Sequence, residues 1–181
     1  MSDNKAPTGD DAVTVEIEIA APPERVFQAL VDQKQLIAWW GSEPSTNLVA
    51  FDMDARKGGQ YRYACVARTG HDHSEVGEQM KKTGANTFEC HGEVLELDPP
   101  RLAVWSWIAN WHDDAARRTI VRWELEPTKT GTRVRVTHSG LAGMPVSRKD
   151  YSKGWVGVLD LLHKFITGLH EEAHGHSQHS V

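Results

Sequence analysis

Ala21-Pro22-Pro23-Glu24-Arg25-Val26-Phe27 opens a short helix that runs into Trp39-Trp40-Gly41, and near the other end Gly154-Trp155 opens the apolar face of one long helix. Pro23 suits the first turn of a helix, because the N–H it lacks would have no intrahelical partner there. Val26, Phe27 and Leu30 then share one side, and Asp32 is placed to cap a second short helix carrying Leu36, Ile37, Trp39 and Trp40. Between these segments and the last helix the chain reads almost entirely as strands. A strand, two short helices, a run of strands and a long final helix predict a curved sheet gripping that helix, with a pocket between them.

Working outward, Val13, Val15, Ile17 and Ile19 alternate with polar partners as a first strand with one buried face. Further strands are expected over 48–54, from Tyr61 through Tyr63 and Cys65, and over 88–97, 101–109, 118–126 and 132–138. Parity assigns their faces. Val121, Trp123 and Leu125 oppose Arg122 and Glu124, and Val134, Val136 and His138 oppose Arg133, Arg135 and Thr137. In 101–109 both faces are apolar, so periodicity does not choose between them. From Thr69 to Thr87 the chain is polar and glycine-containing, which predicts a long, mobile hairpin loop. Tyr151, Trp155, Val158, Leu159, Leu162, Ile166 and Leu169 recur at helical spacing on the final helix, which is expected to begin near Ser147. Residues 1–11 read as a disordered tail, 12–170 as one domain and 171–181 as a His-rich tail.

Composition removes several function classes. A chain of 181 residues with 39% hydrophobic and 25% charged residues builds one soluble core. The net charge of -5 and the absence of a basic run argue against a nucleic-acid groove. No run of apolar residues is long enough to span a bilayer, and the polar, acidic start does not resemble a signal peptide, so a cytoplasmic protein is expected. Cys65 and Cys90 are the only cysteines and make no zinc framework. His170-Glu171-Glu172-Ala173-His174 fits the H-E-x-x-H pattern, but it stands in the tail with no domain after it, so a solvated tail is the expectation rather than catalytic zinc. His71-Asp72-His73 has the same reading. No Walker loop, dinucleotide fingerprint or nucleophile elbow is present. His138 and His91, and more weakly Glu93 and Glu43, are the acid–base candidates, without a constellation around them. No catalytic residue, metal or cofactor is assigned.

The ordered set of pieces resembles a family. The segment from Ala21 to Leu30, followed by Trp39-Trp40, is similar to the opening of START-like proteins, the SRPBCC superfamily. Asp54 with Gly58-Gly59-Gln60-Tyr61, the run Gly92-Glu93-Val94-Leu95-Glu96-Leu97-Asp98-Pro99-Pro100-Arg101-Leu102, and Gly154-Trp155 resemble the branch named for the activator of the heat-shock-protein-ninety ATPase, across residues 13–170. The resemblance implies an α+β helix-grip fold of the START and Bet v kind: an antiparallel sheet wrapped on the C-terminal helix, with two short helices after the first strand. It implies no shared catalytic motif, since members include lipid carriers, cyclases, hydrolytic enzymes, chaperone cofactors and stress proteins, and fold alone does not decide among them.

The leading expectation is therefore a protein that binds a small hydrophobic or aromatic molecule, with Trp39, Tyr61, Tyr63, Trp123, His138, Trp155 and Leu159 as the pocket wall. The alternatives are a cyclase- or hydrolase-like enzyme using His138 with His91 or Glu93, and a chaperone-associated interaction module. A homodimer through outward-facing aromatic residues is left open.

Overall fold

The structure, a computed structural model, describes residues 9–68, 75–83 and 86–168. The elements run β1 (Ala12–Ile19), α1 (Pro23–Val31), α2 (Gln33–Trp40), β2 (Thr46–Met53), β3 (Gln60–Ala67), α3 (Glu75–Thr83), β4 (Thr87–Asp98), β5 (Leu102–Ala109), β6 (Thr119–Pro127), β7 (Thr132–Ser139) and α4 (Pro145–Thr167). All seven strands form one antiparallel sheet in the order β1-β7-β6-β5-β4-β3-β2. Only the β1–β7 pairing is distant in sequence, and the α1–α2 unit fills the crossover between β1 and β2. The α+β helix-grip architecture is the one expected.

Local chemistry sets the boundaries. Pro23 starts α1, and the Asp32 carboxylate accepts from the Lys34 and Gln35 backbone N–H groups at 2.9 and 3.4 Å, capping α2. The sheet bends where β4 and β5 lose regular register between Val94 and Glu96. Gly92 sits beside this bend with no room for a side chain: a Cβ there would lie 1.9 Å from the Ser106 carbonyl oxygen. The close backbone approach that curls the sheet around α4 therefore requires glycine at this position.

The concave face carries Trp105, Trp107, Val121, Trp123, Leu125, Val134, Val136 and His138, all buried. Each indole takes on the order of 150–250 Å² out of water. The convex face presents charge: Arg133 meets Glu126 at 3.2 Å, Arg122 meets Glu124 at 3.2 Å, and Arg135 meets Glu16. These pairs are about half exposed and add little to stability.

Three sequence expectations are revised. The 69–87 segment is not an irregular hairpin loop where it is described, because Glu75–Thr83 is helical. Glu, Gln, Met and Lys are good helix formers, and Val76 and Met80, one turn apart, are both buried. A nine-residue helix containing Gly77 does not hold by itself, so docking of that apolar pair keeps α3 in place. Secondly, His91 and Glu93 lie on the outer face. His91 pairs with Arg62 and Glu93 with Gln60, whereas the inner positions beside them are Tyr61 opposite Gly92 and Tyr63 opposite Cys90. The pairing of His138 with His91 or Glu93 is therefore not formed. Thirdly, residues 9–11 are tied down: Arg148 donates to the Gly9 carbonyl at 2.7 Å and the Leu141 N–H to the Asp11 carbonyl at 2.9 Å. Residues 1–8, His71-Asp72-His73, and the tail with His170 and His174 lie outside the described residues. No described helix is long and apolar enough to cross a membrane.

Candidate functional site

A pocket of about 350 Å³ opens between the β2–β5 end of the sheet, the end of α2, α3 and the first half of α4. Four indoles wall it: Trp40 from the last residue of α2, Trp107 from β5, Trp111 from the β5–β6 loop and Trp155 from α4. Tyr63, Phe88 and Tyr151 complete the aromatic surface. The rings touch one another. Trp40 lies 5.4 Å from Tyr63 and 6.3 Å from Trp155 between centroids, and Trp107 lies 5.5 Å from Trp155 and 6.4 Å from Trp111. Gly154 leaves the gap on α4: a Cβ there would meet nothing within 4 Å. Glycine costs a helix interior about 1 kcal/mol relative to alanine, and here it keeps the mouth of the pocket open.

Behind this wall run two hydrogen-bonded chains. Trp155 Nε1 donates to His138 Nδ1 at 3.1 Å, His138 Nε2 lies 2.7 Å from Thr119 Oγ1, and that hydroxyl donates to the Trp107 carbonyl at 3.0 Å. Because an indole can only donate, His138 carries its proton on Nε2 and both ring nitrogens are engaged. In the second chain, Trp107 Nε1 donates to the Tyr151 hydroxyl at 2.9 Å, and that hydroxyl lies 2.6 Å from His112 Nε2. Tyr151 accepts from the indole, and which partner donates in its contact with His112 follows the tautomer of that imidazole. His112 Nδ1 makes no hydrogen bond of ordinary geometry among the described residues.

Burial sets the charge states. It holds His138 well below the ordinary histidine value, reinforced by His112, and it lowers His112 to about 4, against the pull of the Arg117 backbone and the neighbouring aspartates. Both imidazoles are neutral at pH 7. Burial likewise raises the Tyr63 and Tyr151 phenols, and it pushes the Cys65 thiol up to about 11, aided by the Glu43 charge. Cys65 faces the pocket as a thiol, not a thiolate.

The loop bearing Trp111 and His112 is fastened by its next residue. Asp113 accepts from the Ser147 N–H at 2.8 Å, the Ser147 hydroxyl at 2.5 Å and the Val146 N–H at 3.2 Å. It thus caps the N-terminus of α4 from across the fold. Burial works to raise the Asp113 carboxyl, but these hydrogen bonds outweigh it and hold the group below its ordinary value. Arg117 adds bonds to the Gly140 and Ala142 carbonyls at 3.3 and 3.0 Å.

The seven residues expected at the wall fall in three places. Tyr63 and Trp155 line the pocket. His138, Trp123 and Leu159 form the layer behind it, with His138 bonded to Trp155 and Trp123 packed edge-on to Trp155 at 5.6 Å. Trp39 and Tyr61 are buried elsewhere: Trp39 donates to the Ala29 carbonyl at 2.8 Å, and Tyr61 donates to the Ser106 carbonyl at 2.6 Å. One step along α2 turns a side chain by about 100°, which is why Trp40 faces the pocket and Trp39 the core. Trp111, His112 and Val76 had no periodic signal, since they lie in a loop and in a helix read as a loop. Tyr151 stood on the apolar stripe of α4, and its hydroxyl was the available clue.

The fold and its pocket define a helix-grip protein of the START-like kind. The family model of activator of Hsp90 ATPase homolog 1-like proteins matches residues 20–167, and the chain belongs to that family. Among solved structures, a Chromobacterium violaceum protein is 22% identical with a TM-score of 0.68, covering 86% of this chain and 97% of its own. An AHSA1-like protein from Aeromonas hydrophila is 19% identical with a TM-score of 0.62, covering 94% and 98%. DynU16, from the dynemicin biosynthetic locus, is 18% identical with a TM-score of 0.62, covering 88% of this chain and 48% of its own. At these identities the likeness is one of fold. No curated protein matches the chain in sequence.

Proposed function

We propose that the protein binds a small, largely apolar or aromatic molecule in the pocket between the sheet and α4. The observation that carries this reading is the aromatic-walled space of about 350 Å³, within the range of small-molecule sites. The wall is held by the two hydrogen-bonded chains and by the Asp113 cap, so it is preorganised rather than collapsed.

The enzyme reading receives less support. His138, its leading residue, is fully buried with both nitrogens engaged, so a bound molecule would meet the Trp155 ring rather than the imidazole. The chaperone-associated reading rests on the family's name, and no described surface feature adds to it.

The test is a titration with N-phenyl-1-naphthylamine, a neutral probe whose emission rises in apolar surroundings, on the wild-type chain and on Gly154→Phe. Saturable binding that drops at least tenfold in a folded Gly154→Phe supports the pocket. Binding that is unchanged by the plug, or absent from both proteins, overturns it. Native mass spectra of protein from its own source would then identify a retained molecule.

A further inference from the structure

Most polar hydrogens on the pocket wall are already engaged. The Trp107 indole N–H goes to the Tyr151 hydroxyl, which also meets His112, and the Trp155 indole N–H goes to His138. The Trp111 indole is engaged with the Tyr151 hydroxyl as well. The Ser45 and Thr46 hydroxyls both donate to Glu43 Oε2, at 2.6 and 3.1 Å, and the Cys65 thiol meets Thr46. Two strong donors remain. Among the described residues, neither the Tyr63 hydroxyl nor the Trp40 indole N–H has a hydrogen-bond partner, and both side chains line the pocket.

Tyr63 is only 6% exposed, a state in which a phenol hydroxyl usually has a partner. Aromatic rings surround its own: it stacks on Phe51 at 5.5 Å, with Trp40 at 5.4 Å and Trp107 at 5.6 Å. The indole nitrogens of Trp105 and Trp123 are also without partners, but they are sealed from solvent within the core. The Tyr63 hydroxyl is not sealed in this way, so it meets the open space of the pocket. Burial raises its pKa, which keeps the proton on the oxygen and makes the group a donor.

We infer that the Tyr63 hydroxyl sets the chemistry of the ligand: the pocket selects an uncharged aromatic molecule with an acceptor oxygen, such as a ketone carbonyl, on its edge. This deepens the binding function proposed above and rests on it. The oxygen accepts from Tyr63, and the Trp40 indole, whose ring lies 5.4 Å from that of Tyr63, is the second donor on the same wall. A hydrocarbon of the same shape strips water from the hydroxyl and returns no bond, which leaves a buried donor stranded. A carboxylate would accept the bond, but no Lys, Arg or His stands among the described lining residues to meet its charge.

Three probes of nearly one shape separate the possibilities: 2-acetylnaphthalene, its isostere 2-isopropenylnaphthalene, in which a methylene replaces the carbonyl oxygen, and the anion 2-naphthoate. Their affinities are measured by equilibrium dialysis at pH 7 for the wild type, Tyr63→Phe and Gly154→Phe, with circular dichroism confirming that each variant folds. Because the hydroxyl has no partner among the described residues, Tyr63→Phe breaks no bond there. The readout is the ratio of the ketone's affinity to the alkene's, compared between proteins, since the ease with which each probe leaves water is the same for all of them. Tyr63→Phe should lower that ratio roughly three- to tenfold, through a weaker ketone and an alkene that holds or gains. The naphthoate should bind the wild type more weakly than the ketone does. If Gly154→Phe removes both neutral probes but Tyr63→Phe leaves the ratio within about twofold, or the naphthoate binds as tightly as the ketone, the inference fails while the pocket reading stands. If neither neutral probe binds in a way that Gly154→Phe removes, both fail.

Discussion

The Tyr151 hydroxyl joins more of the site than its size indicates. It accepts from Trp107 Nε1 at 2.9 Å and meets His112 Nε2 at 2.6 Å, and both partners are buried. Tyr151→Phe keeps the ring and its packing but leaves an indole N–H and an imidazole nitrogen without partners. A stranded buried polar group costs about 1–3 kcal/mol, so the variant should lose about 2–4 kcal/mol by urea unfolding while keeping a native far-ultraviolet spectrum. A loss under 1 kcal/mol would mean that water replaces the hydroxyl. At this scale the sequence was only partly readable. Inward parity on β7 marked His138 as buried, but the donor that fixes its tautomer comes from α4, and no local pattern links residues so far apart in the chain. Trp39 and Trp40 show the same limit: adjacent indoles on a short helix face different surroundings, and packing against β2 and α4 decides which.

Among the elements, the N-terminus of α4 depends on a residue outside it. Met144, at the cap position, supplies no side-chain hydrogen bond, and Asp113 fills the role from the β5–β6 loop. Asp113→Ala should cost about 1–2 kcal/mol, the usual range for losing a helix cap. It should also speed amide exchange in residues 110–117, because the same carboxylate anchors the loop that carries Trp111 and His112. Destabilisation with unchanged exchange there would show that Arg117 alone holds the loop. The strands and α4 were legible because alternation and helical spacing report burial directly. The helix α3 was not, because its apolar stripe is a single pair, Val76 and Met80, inside an otherwise polar run. Within α4, Gly157→Ala should raise stability by about 0.5–1 kcal/mol, since an added Cβ meets nothing and the residue does not line the pocket. An unchanged or lower midpoint in urea would count against this.

For the whole molecule, acid is the condition that exposes how the core is built. His112 and His138 are held neutral by burial, His112 down to about 4. The unfolded chain takes up protons near the ordinary histidine value and the folded chain does not, so stability is full above about pH 6.5 and falls as pH drops below it. For His112 the loss between pH 6.5 and 4 is on the order of 3 kcal/mol, and His138 adds to it from the same starting pH and continues below it. Asp113, held below its ordinary value, acts in the same direction but only as pH falls through the carboxylate range. The urea midpoint should decline from pH 6.5 to 4, and His112→Gln should flatten that decline. A flat profile in the wild type would mean that the imidazoles gain solvent or a counter-charge when protonated.

The indoles around Trp107 lie close enough, and at angles oblique enough, for their electronic transitions to mix. Trp107 is 5.5 Å from Trp155 at 58°, and Trp105 is 5.7 Å from Trp123 at 54°. Light absorbed by one ring is then shared with its neighbours, and the circular dichroism of the tryptophan bands becomes a signature of the whole set and not a sum over single chromophores. The molecule thus carries its own exciton gauge: shifting any one ring, by an occupant or by a substitution, changes the shape of that couplet, and no label has to be attached to read it.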